Sequence, residues 1–460
     1  MDLLHARLRG RDATRCFSVV VALGLPLCGL LLLLLLLAPR HAAAQEDKQG
    51  SVIVQFDDHA QMVRTFTFTG DISGLDVLAL SGLDVVTTST SFGPVVCSIE
   101  GVGCPADDCF CNPTKYWAYS AWDGGAWQSY PVGAGSSVIS QTGAVEGWRW
   151  GEFGAAQAPA SAPLAAGAAL DWLAARQVLT DGGFGGAGAT VETLVAVGAN
   201  GLDAGTWRRE ATAPSLADAA RAAIAAYTQG GAAAAGKGVV GLAGAGVCLP
   251  PVTALPSSYY SPTLGAYSLQ SGPNAWAMLG ALALGQPVPP EAVAGLRSQS
   301  LVEGGWEWAP GWGADTNSTA LAIQALAAAG APITATEIVS GLALLKSAQN
   351  ADGGFAYAVE SGVPGESDTN STAYALQALA AAGQDVYSGG WQVNGRGPID
   401  YLLSMQQGDG SFAWRVGSGP NQLATQQVIP ALLGRAQAGA TVPGDAPVAC
   451  PAVFLAGIQR

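Results

Sequence analysis

From residue 176 onward, four short marks punctuate the chain: RQVLTDGGFG (176–185), SQSLVEGGWEW (298–308), AQNADGGFAY (348–357) and MQQGDGSFAW (405–414). Each follows an amphipathic stretch of helical period. Each precedes, after a loop, a second helix rich in Ala and Leu. The glycines stop the first helix and allow a tight turn, and the aromatic after them can pack back onto the helices. A two-helix unit of this kind cannot bury its apolar face alone, so the units must stack. The wide gap between Phe184 and Trp306 holds further degenerate units, with SLADAARAAIAAYTQ, AAAAGKGVVGLAGAG and NAWAMLGALALG as their helices. The expectation is about six helix pairs, one with a poorly formed first helix. An open stack leaves apolar end faces. Six pairs can instead close into a ring with one helix of each pair inside and one outside.

A second repetition is polar. DTNSTA stands at 315–320 and again at 368–373. Asp315 and Asp368 sit just before helices, where a carboxylate caps free N–H groups for ~1 kcal/mol. Capping leaves the rest of the phrase unexplained. Asn317, Ala320 and Gln324 are spaced three then four residues apart and share one helix face. Asn370, Ala373 and Gln377 repeat the pattern, and Asn421 with Ala424 repeats part of it. Amides are costly to bury unpaired. Either the stripes bond one another in the ring's centre, or they line a wet cavity that takes a ligand. The candidate ligand-lining set is Asp315, Thr316, Asn317, Gln324, Asp368, Thr369, Asn370, Gln377, Asn421 and Glu192. Asn317 and Asn370 also begin N-x-T sequons, but an inward position argues against glycosylation.

Residues 51–153 follow another period. SVIVQF, VRTFTFTG, LDVVTTSTSFG, KYWAYSAW and SSVIS are alternating or β-branched, with one short helix expected near ISGLDVLALSG. The fold class expected is multidomain α+β: a small, mostly-β N-terminal domain (51–153), a linker (154–167), an (α/α)6 toroid (168–435) and a C-terminal tail (436–460).

Residues 1–44 read as an export signal or membrane anchor. Arg7, Arg9, Arg11 and Arg15 precede an apolar run, and Ala42-Ala43-Ala44 suits a cleavage site. A tether, if retained, runs through residues 17–38. Export makes disulfides of Cys97, Cys104, Cys109, Cys111, Cys248 and Cys450, with the pairing open. The first four form a locally stapled loop, and the last two tie the tail to the second domain. A formal net charge of −14 without a basic patch argues against nucleic acid.

The four marks resemble the QW-type repeats of the squalene cyclase and prenyltransferase superfamily. The residues that carry this are Gln177…Gly183-Phe184, Gln299…Gly305-Trp306, Gln349…Gly354-Phe355 and Gln406…Gly410-Ser411-Phe412, over about residues 165–435. DTNSTA is similar to the Asp-Thr start of inner helices in transcobalamin and intrinsic factor. Those cobalamin carriers join an α/α toroid to a small β domain. The stretches ISGLDVLALSGL, VCSIEGVGC, KYWAYSAWDGGAW and GAVEGWRWG resemble that module, the DUF4430-type domain, although here it comes first. The resemblance implies non-catalytic capture of a small molecule, a cobalamin-like corrinoid first. The ligand is expected at the mouth where inner-helix N-termini open, with the β module as cover.

Enzymatic alternatives are a terpenoid cyclase-like or a glycan-active toroid; a surface scaffold with a filled ring is the third reading. The three histidines are His5, His41 and His59, so the toroid has none. That removes a Ser-His-Asp triad from it, and also a prenyltransferase-type zinc site and a His ligand to cobalt. The D-x-D-D acid of squalene-type cyclases is missing. Asp57-Asp58 and Asp107-Asp108 lack a diphosphate-binding continuation. A glycosidase needs two carboxylates, for which Asp315, Asp368, Glu192 and Glu303 are candidates.

Overall fold

The computed structural model describes residues 46–437, apart from 57–59, 92, 252 and 388. Residues 1–44, read above as an export signal or membrane anchor, Asp57, Asp58, His59, Cys450 and the tail beyond Gln437 lie outside the described residues.

The N-terminal domain is built on alternating strands. A five-stranded sheet takes the order β2 (Gln61–Phe68), β1 (Lys48–Gln55), β8 (Ala144–Glu152), β6 (Lys115–Trp122) and β7 (Trp127–Ser129). The β1–β8 pair is parallel and the other pairs are antiparallel. β3 (Val85–Thr90), β4 (Gly93–Ile99) and β5 (Val102–Gly103) form a second sheet. The expected short helix is α1 (Gly74–Leu80), started by a capping box between Ser73 and Asp76. Val52, Val54, Met62, Phe66, Trp117 and Trp148 form the core. SSVIS does not become a strand; Ile139 alone bridges to Ile72. Two interlocked disulfides, Cys97–Cys109 and Cys104–Cys111, staple the loop after β4. Cys248 is disulfide-bonded as well.

The stretch expected as a linker is half helix. α2 (Ser161–Ala174) already begins within it, with Pro163 in the first turn, where a missing N–H costs nothing. Its Ala residues are then buried against the rest of the ring rather than spanning solvent.

Among the described residues, six inner helices pack in a closed circuit. They are α3 (Ala187–Ala199), α5 (Ala232–Gly244), α6 (Ser271–Ala283), α8 (Thr316–Ala328), α10 (Thr369–Ala381) and α12 (Gln422–Leu432), and α12 returns to α3. Small residues allow the closeness: a Cβ on Gly236 would run into the Trp276 carbonyl. The outer layer holds α2, α4 (Leu216–Thr228), α7 (Pro290–Ser298), α9 (Thr336–Ala348) and α11 (Pro398–Met405). Behind α5 and α6 a single 3-10 turn, Pro256–Tyr259, replaces the sixth outer helix. Pro250, Pro251 and Pro256 explain why no full helix forms there.

The marks are the joints of this ring. Trp306, Phe355 and Phe412 are fully buried between the layers. The backbone N–H of each donates to a threonine hydroxyl of the following inner helix: Thr319, Thr372 and Thr425, all at 2.9 Å. The mark glutamines satisfy loop carbonyls: Gln349 Nε2 donates to Gly353 and Trp391, and Gln177 Nε2 to Gly182.

The β domain is fixed to the C-terminal ends of the inner helices. Asn200, which ends α3, exchanges two hydrogen bonds with the Val63 backbone, and Arg64 donates to the Asn200 and Gly201 carbonyls. The Gln61 N–H donates to the Leu433 carbonyl at the end of α12. This corrects the expectation of a β cover over the mouth. The hydrogen-bonding edge of β2 finds its partners at helix ends, where carbonyls are free, and those lie at the opposite face.

Candidate binding site at the mouth of the ring

At the N-terminal ends of α8, α10 and α12 the ring opens into a cavity of about 690 Å³. Its wall is largely aromatic, and the marks explain why. The chain after each glycine turn is extended, so alternate side chains point to opposite sides. Trp306, Phe355 and Phe412 go into the core. Trp308, Tyr357 and Trp414, two residues on, face the cavity. Trp276 from α6, Tyr374 from α10 and Trp312 at the rim complete the lining.

Asp315 and Asp368 stand at the helix starts beneath these rings. Each caps its own helix, accepting from the Ser318 and Ser371 N–H at 2.8 Å. Burial raises both carboxyls above the usual carboxylate range, against the lowering effect of those hydrogen bonds. Both remain part of the cavity wall.

Asn317 and Asn370 face the same space. Behind Asn370 lies a polar relay that crosses the ring. Asn370 Nδ2 donates to Gln427 Oε1 at 2.6 Å, and Gln427 Nε2 donates to Glu192 Oε1 at 3.0 Å. Glu192 also holds a partly buried ion pair with Lys237 of α5. The Lys237 ammonium lies 5.0 Å from the Trp276 ring centre. Burial disfavours its charge, but the Glu192 carboxylate outweighs burial and holds its pKa above the ordinary lysine value.

Residues 259–426 match the family model described as the prenyltransferase alpha-alpha toroid domain. No curated protein matches the chain significantly. Among solved structures, the type II terpene cyclase MstE from Scytonema is 17% identical with a TM-score of 0.37, covering 59% of this chain and 98% of its own. Haptocorrin in complex with Cbi is 20% identical with a TM-score of 0.19, covering 24% of this chain and 26% of its own. A Ruminococcus gnavus protein provisionally called metal binding is 20% identical with a TM-score of 0.18, covering 23% of this chain and 97% of its own. Likenesses this remote assign no activity to the toroid domain or to the strands before it.

The toroid domain sorts the candidate residues into different places. Asp315, Asn317, Asp368 and Asn370 line the cavity. Thr316 and Thr369 do not. Their hydroxyls donate to the Ala356 and Ala413 carbonyls, both at 2.6 Å, stitching each inner helix to the next mark. Gln324 and Gln377 lie deeper, where Gln437 enters the ring and bonds both. Asn421 is a cap, accepting from the Ala424 N–H at 2.9 Å. It therefore stands where Asp315 and Asp368 stand, and the position equivalent to Asn317 is Leu423. Glu192 reaches the cavity only through Gln427. Glu303 is at an exposed turn outside the cavity.

Reading the sequence missed Lys237, Gln427 and the cavity aromatics. The aromatics had a signal: GGWEW, GGFAY and GSFAW each carry a second ring two residues after the first. Lys237, within an alanine run, had none.

Among the described residues no cluster of His, Cys, Asp or Glu is placed to hold a metal ion, and no helix is long and apolar enough to cross a membrane.

Proposed function

We propose that this is an exported, non-catalytic small-molecule binding protein whose ligand sits in the aromatic cup at the ring's mouth, with a cobalamin-like corrinoid as the first ligand to test. The observation that carries the reading is the cup itself. Its volume falls in the ~300–1,000 Å³ typical of small-molecule sites, and rings surround a few polar groups there. Aromatic faces suit a flat or bulky neutral body, and amides suit its polar edges. Two disulfides and the disulfide-bonded Cys248 among the described residues agree with an oxidising compartment. The choice of a corrinoid rests on the Asp-Thr helix starts and on the pairing of a toroid with a small β domain.

The test is incubation with a corrinoid, desalting and a visible absorption spectrum. Retained colour at one equivalent supports capture, and a colourless protein ends the corrinoid version.

One observation favours a second reading. Two carboxyls raised by burial face one cavity, as a glycan-active enzyme or a cyclase-like acid would need. Asp315→Asn and Asp368→Asn separate the readings. Both keep a cap, so a carrier retains its ligand, whereas an acid–base enzyme loses turnover.

A further inference from the structure

Resting on the carrier reading, we propose that the partly buried Lys237–Glu192 ion pair sets the hydrogen-bond polarity of the cup, so that the cup selects ligands bearing N–H or O–H donors. The argument follows the relay outward. A carboxylate has only acceptors. Gln427 must therefore turn its NH2 group to Glu192, which leaves its carbonyl oxygen facing Asn370. Asn370 must in turn offer its NH2 group to that oxygen. Its own Oδ1 is then left for the cavity, and it accepts from no described residue. The order follows from the charge at the far end, whatever orientation is first given to each amide.

Lys237 fixes the far end of the relay. Its ammonium donates to Glu192 Oε1, so the carboxylate accepts on that side as well and the relay has one direction. On the neighbouring helix Asn317 also lines the cavity, with its Oδ1 buried without a partner. The Asn370 oxygen thus stands beside the Asp315 and Asp368 caps. The guanidinium on the wall, Arg415, is 3.9 Å from Glu366 and lies over the Trp414 ring. Arg415 Nε is buried without a partner, so the wall keeps one donor there, but beside Asn370 and the two caps it offers acceptors. A ligand whose primary amides or hydroxyls meet these oxygens is favoured, and one with only esters or ethers leaves them unpaired.

Two measurements test this. A neutron map of wild-type crystals in heavy water should show the Asn370 amide deuterons toward Gln427 and the Gln427 deuterons toward Glu192; the reverse order overturns the proposal. In solution, dicyanocobinamide, with primary amides, is compared with dicyano-cobyrinic acid heptamethyl ester, which has no such donors. Wild type should bind the amide at least tenfold more tightly, and in Lys237→Met/Glu192→Gln the ratio should fall toward one. A wild-type ratio near one, or an unchanged ratio in the variant, overturns the proposal. Should the double variant fail to fold, the wild-type ratio and the map decide. Should neither corrinoid bind wild type, the corrinoid reading falls, and the neutron map alone decides the polarity.

Discussion

The side-chain amide of Gln437 donates to Gln377 Oε1 at 2.8 Å, while its backbone N–H donates to Gln324 Oε1 at the same distance. The chain thus returns to the ring after α12 and closes its base, so that the ring is a cup and not a tube. The network is incompletely satisfied: Gln324 Nε2, Gln377 Nε2 and Gln437 Oε1 are buried without partners. Gln437→Leu should cost about 1–3 kcal/mol by orphaning Gln377. Gln377→Leu with Gln437→Leu should cost less than the sum of the single changes. Urea denaturation of the four proteins measures the coupling, and simple additivity would refute it.

Thr319 and Thr372 should be intolerant of an isosteric change. Thr319→Val or Thr372→Val keeps the volume but leaves the buried Trp306 or Phe355 N–H without an acceptor. The expected loss is about 1–3 kcal/mol each, read from urea midpoints. Ser318→Ala, which retains the backbone N–H that Asp315 caps, should lose much less.

Asp315 and Asp368 predict a pH signature. A carboxyl whose pKa is higher folded than unfolded holds its proton preferentially in the folded state. The stability it adds is fully present at acid pH, and is lost as pH rises from the unfolded value, ~3.9, through the raised folded one. Asn keeps the cap and cannot titrate. Asp315→Asn and Asp368→Asn should therefore gain stability relative to wild type as pH rises from about 4 to 7. A difference that does not change with pH would contradict the burial effect.

The cavity aromatics should report and hold the ligand. Trp308→Ala or Trp414→Ala should weaken binding about tenfold, equivalent to about 1.4 kcal/mol; for Trp414, the more exposed ring, little change in melting temperature should accompany it. Wild-type tryptophan fluorescence should be quenched on binding, and by less in either variant. Full quenching in both would place the ligand elsewhere.

The ring was legible because its joints are local. A helix stop, a glycine turn, a buried aromatic and a capped start all lie within some twenty residues, and each has its own chemistry. What joins distant segments was not. Glu192, Lys237, Gln427 and Asn370 come from four helices and meet only when the ring closes. The parallel β1–β8 pair and the seat of the β domain on Asn200 are of the same kind: GAN before Gly201 reads as any helix stop. Asn421 was misassigned by composition, since NQLAT lacks the aspartate. Its distance from Phe412 equals that of Asp315 from Trp306, and that spacing carried the register.

Because the β domain grips Asn200 and Leu433 at the base, traffic through the opposite end is mechanically independent of the seam between the two halves. On the carrier reading, loading and unloading need no hinge. A ligand would leave past Trp312, Tyr357 and Trp414 on the cavity wall, and changes that loosen the seam should leave the off-rate as it is.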